Sequence, residues 1–205
     1  MMSGKACLSG HLALNYPEAM PPFPMAKVSF DTPFYYLTSV AHHRLPIFQT
    51  DMLKTVLCDA LDEARRSAEL LIFAYVVMAD HVHIVTDGSR SPSDTLRFIN
   101  GISARRIINY LKENEYHSSL AKLKNAQKKG GYSYSVWEHH SDKFLVTSES
   151  MLMQKVNYIH RNPVEAGLVE RPDDYRFSSA RIWSKMRLEN EPLLMDIDRI
   201  RWRVH

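Results

Sequence analysis

The sequence predicts an α+β chain built on a ferredoxin-like βαββαβ unit, an antiparallel four-stranded sheet with two helices on one face. Three observations predict it. Short β-branched and aromatic runs occur at residues 34–40, 70–78 and 81–86. Between and after them lie longer stretches with apolar residues every three to four positions. The order along the chain is strand, helix, strand, strand, helix, strand, with no internal repeat.

Residues 1–30 hold Pro17, Pro21, Pro22 and Pro24 and show no sustained period, so they read as a flexible N-terminal extension. A single domain follows over 31–183, then a basic C-terminal tail over 184–205 that ends with Arg199, Arg201 and Arg203. Residues 34–40 form the first strand. Residues 51–68 carry Leu53, Val56, Leu57, Ala60, Leu61 and Ala64 at helical spacing, with Thr50 or Asp51 as the N-cap. The apolar run 70–78 continues into 81–86 either through a hairpin at Ala79-Asp80 or as one long strand. Pro92, with Ser93 or Asp94 behind it, starts a second helix whose stripe runs through Leu96, Ile99, Ile102, Ile107, Ile108 and Leu111. Residues 122–131 are basic and end in glycine, so they read as a surface loop. Residues 132–136, ending at Trp137, alternate like a strand, with 144–146 as its partner. Thr147 or Ser148 caps a last helix that is interrupted near Pro163.

The chain has 205 residues, 45% hydrophobic and 24% charged, enough for one domain with a full core. Cys7 and Cys58 lie far apart, which argues against a disulfide framework or a zinc–thiolate site and for a reducing cytoplasm. No long uncharged apolar run suggests a membrane span. A net charge of +3 permits a nucleic-acid partner without demanding one. Arg105, Arg106, Lys122, Lys124, Lys128 and Lys129 are candidates for DNA backbone contacts, and Tyr132 and Trp137 for base stacking. The same residues equally suit a solvated helix face and a packed strand.

The most informative stretch is 76–86, Val-Val-Met-Ala-Asp-His-Val-His-Ile-Val-Thr. In a strand, residues i and i+2 share a face, so His81 and His83 project side by side and Val82 turns the other way. Two imidazoles so placed can ligate one metal ion. They can also be two unrelated histidines on a solvated face. In the last helix, Tyr158 and Asn162 stand at i and i+4 and share one helix face. Leu152, Val156 and Ile159 serve the core better. Tyr158 also suits a buried ring with a bonded hydroxyl, and Asn162 a helix C-cap before Pro163. His42, His43, His139, His140 and His160 read as ordinary structural histidines.

Taken together, Tyr-Val-Val-Met-Ala-Asp-His-Val-His-Ile-Val from Tyr75, Tyr-Ile-His-Arg-Asn-Pro-Val-Glu-Ala-Gly-Leu-Val from Tyr158, and Asp-Tyr-Arg-Phe-Ser-Ser from Asp174 resemble the REP-associated tyrosine transposases. These are single-tyrosine insertion-sequence transposases of the HUH endonuclease superfamily. The resemblance covers roughly residues 34–180, including Trp137-Glu138 and the segment through Phe144, Thr147 and Glu149. One departure is Asp80, where the family usually has Asn. It would alter the turn or add negative charge beside the first histidine.

The resemblance implies His81 and His83 as the metal pair, Tyr158 as nucleophile and Asn162 as the residue that completes the metal site. The implied reaction cleaves and rejoins single-stranded or hairpin DNA through a 5′-phosphotyrosine. The implied cofactor is Mg²⁺ or Mn²⁺, acting as a Lewis acid on the scissile phosphate. The implied enzyme works as a monomer or a homodimer. Two other functions fit the residues. A non-catalytic single-strand-binding module predicts binding without cleavage. A metal-dependent phosphodiesterase with a water nucleophile predicts cleavage without a covalent adduct.

Overall fold

The computed structural model describes residues 25–124, 134–139 and 141–203. Its strands are β1 (Phe34–Val40), β2 (Ile72–Val77), β3 (His81–Thr86) and β4 (Asp142–Val146). Its helices are α1 (Asp51–Ser67), α2 (Pro92–Glu113), α3 (His117–Leu123), α4 (Glu149–Glu165) and the short α5 (Ala180–Trp183). The sheet order is β2-β3-β1-β4 with every neighbour antiparallel, the arrangement expected of the predicted βαββαβ unit.

Local chemistry accounts for most element ends. The Thr50 hydroxyl accepts the Leu53 N–H at the start of α1. Ser91 does the same for Asp94 ahead of Pro92 in α2. Ser148 accepts from Met151 N–H at the start of α4. The hairpin alternative holds at Ala79-Asp80: Met78 N–H donates to His81 carbonyl at 2.8 Å, and the next strand begins at once. Gly88 is required because a Cβ there would lie 2.2 Å from the Pro33 carbonyl oxygen.

Three expectations change. Residues 134–137 form only isolated bridges, Tyr134 with Lys124 and Trp137 with Ala41, while β4 takes the strand position beside β1. The pairing of β4 with β1 joins residues more than a hundred apart, which local alternation does not reveal. The stretch read as loop from 122 overlaps the end of α3, whose last two residues are Lys122 and Leu123. Helix α4 runs through Pro163 rather than stopping there. Pro163 falls in the last turn, where its missing N–H forfeits a single bond, and Gly167 at φ 69° then closes the end.

The two sheet edges are treated differently. Edge β2 is covered: Val77 N–H donates to Phe177 carbonyl, Ser179 N–H to Tyr75 carbonyl and Ile72 N–H to the Asp196 carboxylate. Edge β4 is exposed from Asp142 to Leu145. Ala26, from the predicted extension, pairs with Ile200 of the predicted tail, and Val28, Leu193 and Ile200 are buried. Cys58 is free and buried in α1, and Cys7 lies outside the described residues.

Candidate active site

The register of β1 and β3 sorts the site. Thr38 faces His83 and Val40 faces His81, so these four share a face with Tyr36 and, across β4, with Phe144. The opposite face carries Leu37, Ser39, Val82 and Ile84. It lies against the helical layer, where Ser39 Oγ donates to Asn100 of α2 at 2.7 Å. Helix α4 packs on the histidine face, against β2 and β3. Leu152, Val156 and Ile159 form its buried stripe, as the spacing predicts.

Tyr158 stands on the same helix, nearly half exposed, with its ring edge-on to the sheet side chains. Its centroid lies 5.6 Å from that of His83 and 6.2 Å from that of Tyr36. The His81 and His83 rings are 4.8 Å apart. Asn162, one turn after Tyr158, donates from its side-chain amide to the Tyr158 carbonyl at 2.8 Å and also interacts with the His83 side chain. One chain therefore brings together all four residues named from the sequence.

Each histidine has one ring nitrogen already engaged. His81 Nδ1 lies 2.6 Å from the Asp80 carboxylate. A carboxylate only accepts, so in the neutral ring the proton sits on Nδ1 and Nε2 keeps its lone pair. His83 Nδ1 lies 2.8 Å from both the Tyr36 hydroxyl and the Thr38 hydroxyl. Nε2 is thus the nitrogen left on both rings, and the pair fits the nitrogen half of a divalent-metal site whose rings are fixed by outer partners.

The electrostatics agree. Burial, with the charge of His81 adding to it, pushes His83 down to about 3, so the ring is neutral at physiological pH. Burial raises Asp80, but bonds to His81 and Arg44 outweigh it and leave the carboxyl below its ordinary value. Arg44 Nη1 reaches Asp80 at 3.2 Å. The Asp80 departure is therefore not a disturbance of the turn: its carbonyl still accepts Ala41 N–H while its carboxylate orients His81. Burial also lifts the Tyr36 phenol to about 12, which keeps it protonated beside His83.

A second group with metal-ligating chemistry stands beyond the end of β1. His42, His43 and Glu138 bring one ligand atom each within 4.8 Å of one another. His43 sits at φ 53°, and its N–H donates to Glu138 at 2.5 Å. The 95-residue gap between His43 and Glu138 hides this group from any reading of spacing. His160, read as structural, is buried with Nε2 2.8 Å from Ser179 Oγ. Ser179 in turn accepts from Tyr75 N–H, which ties α4 to the covered edge of the sheet.

The described residues among those suggested for DNA contact do not gather around Tyr158. Arg105 and Arg106 extend from α2 and both pair with Glu63 of α1. Lys122 lies in the last turn of α3, which packs on α2, and Lys124 is its C-cap. Trp137 is buried, stacked at 5.3 Å on Phe48, with its indole N–H donating to Ser103. Lys128, Lys129 and Tyr132 lie outside the described residues. Sequence reasoning missed Tyr36 and Thr38 as partners of His83. Their i, i+2 spacing in β1 was visible, but their register against β3 was not.

Fold and site define the class: an antiparallel α+β domain with a paired-histidine strand under a helix that presents a tyrosine. Residues 32–124 match the family described as "Transposase IS200 like". That match runs from β1 through α3 and contains both histidines, while Tyr158 and Asn162 lie beyond it. Among solved structures, the chain is similar to a REP-associated tyrosine transposase bound to a REP hairpin. The TM-score is 0.54 at 18% identity, covering 88% of this chain and 93% of that one. A Deinococcus radiodurans protein assigned provisionally as a transposase is also similar, at 23% identity and a TM-score of 0.42, over 63% of this chain and 90% of that one. No curated protein sequence matches the chain. The resemblance to the tyrosine transposases read from the motifs is borne out. No helix among the described residues is long and apolar enough to cross a membrane.

Proposed function

We propose that this protein is a metal-dependent transposase that cleaves and rejoins single-stranded hairpin DNA, with Tyr158 as nucleophile. The observation that carries the proposal is the placement of the Tyr158 ring 5.6 Å from His83, on the face that also presents His81. Tyr158 oxygen attacks the scissile phosphorus, the phosphotyrosine bond forms, and the bond to the 3′ oxygen breaks. The proton lost by the phenol is balanced by the one gained by the leaving 3′-hydroxyl. One ester replaces another, so a later 3′-hydroxyl reverses the step without an added energy source.

His81 and His83, through Nε2, and the Asn162 side chain would hold a Mg²⁺ or Mn²⁺ ion. Two imidazoles favour Mn²⁺, while Mg²⁺ prefers oxygen and keeps several waters. Such an ion supplies Lewis-acid polarisation of the phosphate when bound. Asp80 holds the His81 ring, Tyr36 and Thr38 hold the His83 ring, and the His160–Ser179 bond holds the helix that carries Tyr158. Because tyrosine and histidines come from one chain, a monomer suffices for the cleavage step.

The test is a denaturing gel of the protein with labelled hairpin oligonucleotides from its genomic neighbourhood, in Mn²⁺ or Mg²⁺. A slow-migrating adduct that vanishes with EDTA is expected. Cleavage without any adduct moves the reading to a water nucleophile, and binding with neither moves it to a binding module.

A further inference from the structure

On the histidine face, the strip Phe144–Tyr36–His83 crosses β4, β1 and β3. Its outer end is open. Phe144 is 44% exposed on the uncovered edge strand, where a large apolar side chain needs a reason. Above it hangs Lys155, with Nζ 4.1 Å from the Phe144 ring centre and 4.8 Å from the Tyr36 ring centre. Lys155 stands one helical turn before Tyr158, on the same side of α4. Its charge also acts on His83, and among the described residues no carboxylate forms an ion pair with it. Arg105 and Arg106 differ, since their charge is already met by Glu63.

We propose that Phe144, Tyr36 and Lys155 form a nucleotide subsite for single-stranded DNA next to the scissile phosphate. The Phe144 ring stacks one base and the Lys155 ammonium binds the adjoining phosphate. This rests on reading the site as that of a single-strand DNA transposase. Three features commit it to that occupant. The subsite is continuous with the Tyr158 site through Tyr36, whose ring lies 6.2 Å from that of Tyr158. Phe144 and His83 are two strand spacings and a two-residue offset apart, ~12 Å, about two nucleotide steps along a strand that runs across the sheet. An exposed aromatic ring beside a cation without an acidic partner is the pairing that sequence-tolerant single-strand binding uses. Asp142, exposed two residues before Phe144 on the same face, repels phosphate and so steers the backbone toward Lys155.

The test is fluorescence anisotropy of the full chain with a labelled hairpin bearing a single-stranded flank, in EDTA so that no chemistry follows binding. Lys155→Met and Phe144→Ala are each expected to weaken binding roughly ten-fold. Lys155→Met should also lower the salt dependence by about one phosphate contact. Lys155→Arg and Phe144→Trp should bind like wild type. Phe144→Leu keeps apolar cover without the ring and should still bind weakly, which separates stacking from folding. Arg97→Ala on α2, another lost positive charge, should change nothing. Wild-type affinity in both Lys155→Met and Phe144→Leu overturns the subsite, and does so without touching the transposase reading if the wild type still forms its adduct. Failure of the wild type both to bind and to form an adduct overturns both.

Discussion

The two faces of the sheet are built from the same strands with opposite purposes. Toward α1 and α2, Leu37, Val82 and Ile84 are buried, and a single serine–asparagine contact interrupts the apolar packing. Toward α4, the alternate residues of the same strands are Tyr36, Thr38, His81 and His83, the first two hydrogen-bonded to His83 at 2.8 Å. The first face could hold many apolar sets of similar volume and still fold. The second holds a neutral imidazole where burial pushes its pKa down to about 3, so protonating it would cost the fold. One strand period thus separates stability from chemistry.

The largest expected contrast sets one residue of each face against the other. Leu37→Ala should cost about 3 kcal/mol in urea denaturation, as a fully buried leucine does. Its folded fraction should still form the DNA adduct. His83→Ala should abolish adduct formation while the protein stays mostly folded. If Leu37→Ala alone removed the adduct from folded protein, the division of labour between faces would be wrong.

A smaller effect is expected at Asp80. Asp80→Asn restores the residue usual in the resembled family, yet here it weakens the acceptor for His81 Nδ1. Mn²⁺ affinity by calorimetry should fall roughly ten-fold, within the range for partners that orient a metal-binding histidine. An unchanged affinity would make the Asp80–His81 contact incidental.

The last effect is confined to acid and concerns how α4 is held over the second face. Burial depresses His160 to about 4, so the folded protein refuses a proton that the unfolded chain accepts below about 6.5. Stability from this group is complete above pH 6.5 and is lost as pH falls toward 4, by up to about 1.4 kcal/mol per pH unit. His160→Gln keeps a nitrogen donor for Ser179 and removes the titration. Its stability between pH 6.5 and 4 should fall less steeply than that of wild type, since His83 titrates alike in both. Parallel slopes would mean that His160 is not excluded from protonation.

The first face was largely legible in the sequence because it depends on local period. The strand limits of β1 and β3 and the caps at Thr50 and Ser148 follow from alternation and side-chain chemistry close along the chain, while the α2 cap fell on Ser91 rather than on the Ser93 or Asp94 that the sequence offered. The second face was legible only in part. His81 and His83 announce themselves by an i, i+2 spacing, and Tyr158 and Asn162 by i, i+4. Thr38 against His83, Phe144 against Tyr36 and Glu138 against His43 are set by long-range register, which no local spacing encodes. The basic residues Arg105 and Arg106 were conspicuous in sequence, yet their partner Glu63 lies on a different helix.

The most direct test of the account is to locate the covalent bond. Protein incubated with hairpin DNA and Mn²⁺ would be digested with nuclease and trypsin and read by mass spectrometry. The account predicts a nucleotide mass on the tryptic peptide of residues 156–161, at Tyr158, and no adduct in Tyr158→Phe. A nucleotide attached to any other residue, or an adduct of undiminished yield in Tyr158→Phe, would contradict it.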